Sequence, residues 1–242
     1  MNASNNVGAF FDLDGTLLPA PSLEWRFIGY LLAGDDIGAA AAGRWLAQFA
    51  LNVLRSPRTA IEANKIYLAG LRESLATDWA ITLNSDCLPF FASGIERICW
   101  HLAQEHRIFI VSGTLEPLAL AAAQHLPARV GVSATKLEVQ DGNWTGRLAG
   151  EHVNGKAKAR AVQALSNEHN IDLYRSFAYG NRIADLAMLE AVGHPIAINP
   201  SSRLERVAQA RGWQILNWRK VQTNPLTANR RVLSPLSPKG AQ

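Results

Sequence analysis

Asp12 and Asp14 stand at i and i+2 where an apolar run, Val7 to Phe11, ends and Gly15-Thr16 follows. Alternate strand residues share a face, so a buried strand ending here delivers both carboxylates into one crevice beyond its carboxyl end. Two acids held together out of water are costly, and chemistry is a reason to keep them. One carboxylate can attack an electrophile while the second protonates the leaving oxygen and later activates water. The competing reading is a turn, because Asp and Gly are ordinary turn residues.

A second apolar run, Arg107 to Val111, stops at Ser112-Gly113-Thr114 before a helical pattern from Glu116 to His125. A hydroxyl and a glycine where a strand gives way to a helix make an anion site, built from backbone N–H groups and the Ser112 hydroxyl.

The elements around these residues follow from periodicity. Ser22 to about Asp86 reads as helical, with Leu23, Phe27, Tyr30 and Leu31 at helical spacing and a further helix opened by Ser56-Pro57 and running through Ile61, Ile66, Leu68 and Leu71. Ser93 and Glu96 have capping-box spacing at the head of a helix that includes His101 and Leu102. Val130 to Ala134 is a short strand, and Leu137–Val139 and Trp144–Leu148 flank Asp141-Gly142-Asn143 as a hairpin. A helix starts near Lys156, a strand runs from Ser176 to Tyr179 and another from Gly193 to Asn199, and a helix over 202–211 precedes a last strand over 213–216. Strands and helices alternate, broken once by the helical insertion, which predicts an α/β fold with a parallel, Rossmann-like sheet.

The segment Asp12-Leu13-Asp14-Gly15-Thr16-Leu17 resembles the first motif of the haloacid dehalogenase superfamily of phosphohydrolases. Ser112 is similar to that superfamily's second motif, and Gly155-Lys156-Ala157-Lys158 to its third. Gly180, Asp185, Met188 and Leu189 match the fourth, while Asn181 and Arg182 replace its usual Asp and Ser. The helical insertion after the first strand resembles the cap of the branch that includes phosphoserine phosphatase, and the likeness spans about residues 7 to 218.

The resemblance implies a core domain over 1–20 and 87–218 and a helical cap over 21–86, and the Pro, Ser, Thr, Asn and basic content of 219–242, with little apolar periodicity, predicts a flexible tail. It implies Mg²⁺-dependent hydrolysis of a small phosphorylated metabolite through an aspartyl-phosphate. Asp12 and Asp14 would be catalytic, Ser112, Gly113 and Lys158 would bind phosphate, with Lys156 the alternative lysine, and Asp12, Asp14, Asn181 and Asp185 would hold the metal. Cap residues Glu24, Trp25 and Arg26 are candidates for substrate contact, although helix surface and cap packing explain them as well. Transfer to an alcohol instead of water stays open, as does a phosphate-binding protein attenuated by Asn181. A dehalogenase is disfavoured by the second acid, Asp14.

Composition bounds the remaining classes. A chain of 242 residues, 48% hydrophobic, can bury a sizeable core. The net charge of +4 is scattered until the C-terminal end, so no nucleic-acid footprint is expected. Cys87 and Cys99 form neither a CxxC nor a Cys/His cluster and are expected to be buried reduced thiols. The start lacks a basic segment followed by an apolar core, which predicts a cytoplasmic protein without a secretory signal. The apolar reach from Ile37 to Leu54 is interrupted by Gly38, Gly43, Arg44 and Gln48, so no membrane span is expected. The apolar faces of the insertion leave open a homodimer contact.

Overall fold

The computed structural model describes residues 6–33, 65–83 and 88–218. Among the described residues six parallel strands form one sheet: β1 (Gly8–Phe11), β2 (Arg107–Leu115), β3 (Gly131–Thr135), β6 (Phe177–Gly180), β7 (His194–Ile198) and β8 (Gln214–Leu216). Their order is β3-β2-β1-β6-β7-β8, and β4 (Leu137–Gln140) pairs with β5 (Asn143–Leu148) as a separate antiparallel hairpin. β1 is central and flanked by β2 and β6, so its carboxyl end lies where the strand order reverses, the place at which an open α/β sheet presents its crevice. β1 is buried along its whole length. Phe11 stacks on Tyr179 at 4.3 Å on one face and Phe10 on Phe109 at 5.3 Å on the other.

Helices flank the sheet: α1 (Leu23–Ala33), α2 (Ser74–Thr82), α3 (Ala92–Ala103), α4 (Glu116–Ala123), α5 (Lys156–His169), α6 (Leu186–Glu190) and α7 (Ser202–Ala210), with α2 packed on α1 and α4 instead of on a strand. Among the described residues no helix is long and apolar enough to cross a membrane.

The segment between β1 and β2 is tied to the hairpin. Gly70 N–H donates to the Trp144 carbonyl at 2.8 Å, Trp144 N–H donates to that of Leu71 at 2.9 Å, and Phe27 packs between Trp79 and Trp144. The helix expected through Ile66 and Leu71 is therefore a 3-10 turn, Ile66–Leu68, followed by Gly70 at φ +85° and then α2. The backbone there pairs with β5 instead of continuing a helical ladder. The Ser56-Pro57 helix start, Cys87 and the 219–242 tail lie outside the described residues.

Two local expectations are corrected. Phe91, not Ser93, precedes α3; its N–H donates to the Leu17 carbonyl at 2.9 Å, so tertiary packing sets the start and Ser93 falls inside the first turn. Cys99 is exposed, because α3 buries Gly94, Ile98 and His101 and turns Cys99 outward.

Candidate active site

The turn after β1 fixes the first pair of acids. Asp12 N–H donates to the Tyr179 carbonyl at 2.9 Å, extending the β1–β6 pairing by one residue, and the Leu13 carbonyl accepts from Leu17 and Leu18. Gly15 sits at φ +91°, and a Cβ there would come within 2.0 Å of Asn181 Nδ2, so glycine is what lets the Asn181 amide close against this turn. Thr16 Oγ1 donates to Asp12 Oδ2 at 2.8 Å.

Asp12 faces Lys158 and Asp185. The Lys158 ammonium, at the first turn of α5, donates to Asp12 Oδ1 at 2.6 Å and to Asp185 Oδ1 at 2.5 Å. Asp185 Oδ2 accepts from the N–H groups of Asn181 and Arg182, both at 2.9 Å, which fixes the loop after β6. Gly180 permits this approach, since a Cβ there would meet the Asp185 side chain at 2.5 Å. All three charged side chains are buried. Burial pushes the Asp12 carboxyl up to about 6, with Asp185 adding to the rise and Lys158 opposing it. Burial works against the Lys158 charge, but Asp12 and Asp185 outweigh it and hold its pKa above the ordinary lysine value. Lys156, the alternative lysine, is exposed.

Asp14 lies to the side of this cluster. Its Oδ1 accepts from Leu23 N–H at the start of α1, at 2.8 Å, and its Oδ2 accepts from Thr114 Oγ1 at 3.0 Å. Burial raises its pKa, and those two hydrogen bonds oppose the rise. Ser112 is buried, and its Oγ accepts from Thr114 N–H at 3.2 Å. β2 continues past Ser112 to Leu115 through a register shift against β3 across Gly113-Thr114 instead of ending at Ser112. The Gly113 carbonyl accepts from Thr135 Oγ1 at 2.9 Å.

These residues line one cavity of about 550 Å³, with Asp12, Asp14, Ser112, Gly113, Lys158, Asn181 and Asp185 all on its wall. A depression of about 730 Å³ at the start of β6 and β7 is larger, but its one acid, Glu190, is paired with Arg211. The paired acids single out the smaller cavity.

The wall contributed by the β1–β2 insertion carries a second cluster. Glu24 on α1 accepts from the buried Lys65 ammonium at 2.6 and 2.5 Å and from the Tyr67 hydroxyl. Burial, then the Glu24 charge, pushes the Tyr67 phenol well above its usual value. Trp25 lines the same wall and is 57% exposed. The Arg26 guanidinium donates to the Pro19 and Pro21 carbonyls and so braces the turn before α1, of which Pro21 lines the cavity.

Lys65, Tyr67, Thr114, His152 and Asn154 also line the cavity and escape the sequence reading. Thr114 carried a usable signal, since it lies two residues after Ser112 on the same strand. Lys65 and Tyr67 carried none, because only folding brings them to Glu24.

Among the described residues no group of three His, Cys, Asp or Glu side chains is arranged to hold a metal. One atom nevertheless asks for a ligand: Asn181 Oδ1 is buried and has no hydrogen-bond partner. A carbonyl oxygen left unpaired beside carboxylates suits a hard cation, which takes oxygen donors, so the donor set fits Mg²⁺.

The sequence profile of the haloacid dehalogenase-like hydrolases matches residues 9–190. The chain is 38% identical over 119 residues to a phosphoserine phosphatase of Mycobacterium tuberculosis, a match that covers 49% of this chain and 38% of that relative. It is 27% identical over 239 residues to a probable phosphatase of the same organism, covering 95% of this chain and 80% of the relative. The crystal structure of a protein of unknown function from Bordetella pertussis aligns with a TM-score of 0.71 at 27% identity, over 87% of this chain and 98% of that one.

Proposed function

Because the chain belongs to the haloacid dehalogenase-like hydrolase family, we propose that it hydrolyses a small phosphomonoester, with Mg²⁺ as cofactor and an aspartyl-phosphate on Asp12 as intermediate. The observation that carries this reading is the buried Asp12–Lys158–Asp185 bridge at a cavity that Asp14 and Ser112 also line.

In the first step an Asp12 carboxylate oxygen bonds to phosphorus as the ester P–O bond breaks, and Asp14 gives its proton to the departing alkoxide. The raised pKa of Asp14 suits an acid that must hold a proton until then. In the second step Asp14 takes a proton from water, the water oxygen bonds to phosphorus, and the Asp12 carboxylate leaves. Lys158 and the Ser112 hydroxyl hold the phosphoryl oxygens through both steps. Asp185 positions Lys158 and the loop that carries Asn181. Asp12 and Asn181 Oδ1, with Asp14 and Asp185 as the other oxygen donors, would hold Mg²⁺, which supplies positive charge against the phosphoryl oxygens. The insertion acts as a cap that shields the cavity from water.

Phosphate release from a panel of phosphomonoesters, with and without Mg²⁺, tests the reading. Turnover that requires Mg²⁺ and disappears in Asp12→Asn is the expected result; no release from any ester overturns it. Asn181 favours one second reading, a phosphate-binding protein with attenuated turnover, because a neutral ligand replaces a charged one. Calorimetric titration separates the two: a Mg²⁺ affinity tighter than about 1 mM, lost in Asp12→Ala, supports the enzyme.

A further inference from the structure

Among the described residues three lysine or arginine side chains line this cavity, and two of them are occupied. Lys158 bridges Asp12 and Asp185, and Lys65 is held by Glu24. Arg182 is the third; it lines the cavity, is exposed, and among the described residues its guanidinium meets no carboxylate. Its backbone is nevertheless fixed, since Arg182 N–H donates to Asp185 Oδ2 at 2.9 Å. An unpaired guanidinium on a fixed loop at the mouth of a cavity presents a rigid fork of donors that matches a carboxylate or a phosphate.

The depth of the groups separates this role from that of the phosphoryl site. Asp12, Ser112 and Lys158 are 5%, 1% and 3% exposed and so lie at the floor, whereas Arg182 is exposed at the rim. A cavity of about 550 Å³ holds more than a phosphoryl group, which leaves room for a leaving group between floor and rim. We propose that Arg182 is a specificity-determining residue that binds a second anionic group, a carboxylate or a second phosphate, on the leaving group of the phosphomonoester. The inference rests on the phosphatase reading and names the class of ester that site takes.

The test compares matched pairs that differ in the second anion. Glycerol 3-phosphate is set against 3-phosphoglycerate for a carboxylate, and fructose 6-phosphate against fructose 1,6-bisphosphate for a phosphate. Turnover gives kcat/KM and calorimetry gives affinity for the native chain, Arg182→Gln and Arg182→Lys. The native protein is expected to prefer the doubly anionic member of at least one pair, and the pair that shows it identifies the anion. In Arg182→Gln that preference should shrink roughly 10-fold, the size expected for one charged hydrogen-bonded contact, and Arg182→Lys should keep part of it. Absence of a native preference in both pairs overturns the proposal. So does a preference that survives Arg182→Gln, or an equal loss on both members of a pair, which would place Arg182 on the phosphoryl group. p-Nitrophenyl phosphate gives the separate control for hydrolysis. If the native chain turns over no ester, the phosphatase reading fails, and the calorimetric preference still decides the role of Arg182.

Discussion

Two polar clusters hang from the same central strands, yet one joins buried opposite charges and the other centres on a neutral histidine. Beyond the ends of β1 and β6, Lys158 bridges Asp12 and Asp185. Beneath them, between β6 and α3, the Tyr179 hydroxyl lies 2.7 Å from His101 Nε2, and His101 Nδ1 lies 2.8 Å from His106 Nδ1. A neutral His101 protonated on Nδ1 satisfies both contacts, donating to His106 and accepting from Tyr179. Burial, with His106 and Arg97 adding to it, pushes the His101 pKa down to about 3. At His101, away from the cavity, the fold keeps a buried titratable group neutral. Where an anion is to be bound, it retains charge and offsets the desolvation with opposed partners.

The largest effect that would break this contrast is on activity. Asp12→Asn, which keeps the shape and removes the nucleophile, is expected to lower phosphate release by about 10³-fold or more. Retained turnover would remove the functional reason for the charged cluster. Next comes stability. Lys158→Met leaves two buried carboxylates facing each other and should cost about 3–5 kcal/mol in urea unfolding. A near-neutral result would mean that Asp12 takes up a proton once its partner is gone.

The neutral cluster should respond to pH instead. The folded-state pKa of His101 lies below its unfolded value, so the unfolded chain takes up the proton first. The stability that His101 contributes is complete above about pH 6.5 and is lost as pH falls toward 3. Between pH 6.5 and 5 the loss should be about 1.6 kcal/mol, read by urea midpoints across the range, and His101→Gln should flatten that slope. The smallest expected effect lies on the insertion wall. Glu24→Gln weakens the hold on Lys65 and Tyr67 and should raise KM by roughly 3- to 10-fold with less change in kcat. A fall in kcat alone would move Glu24 from substrate contact into the chemistry.

The sequence by itself determined the frame: apolar runs of strand length alternating with helical patterns, and acids, a hydroxyl and a lysine at the strand ends or helix starts. Those signals are local, because periodicity and turn chemistry act within a few residues. The order of strands and the approach of Asp12 to Ser112, Lys158 and Asp185 follow from right-handed crossovers that such a pattern leaves little freedom to avoid. Tertiary structure brought Lys158, the lysine that the resemblance favoured, to Asp12, and decided that β2 runs on through a register shift across Gly113-Thr114. It decided that α3 starts at the packing of Phe91 and not at a capping box, and that Arg26 braces a turn while Lys65 and Tyr67 reach Glu24. Each of these depends on contacts between residues far apart in the chain, where the burial of one side chain sets the direction of another, and no local pattern records that.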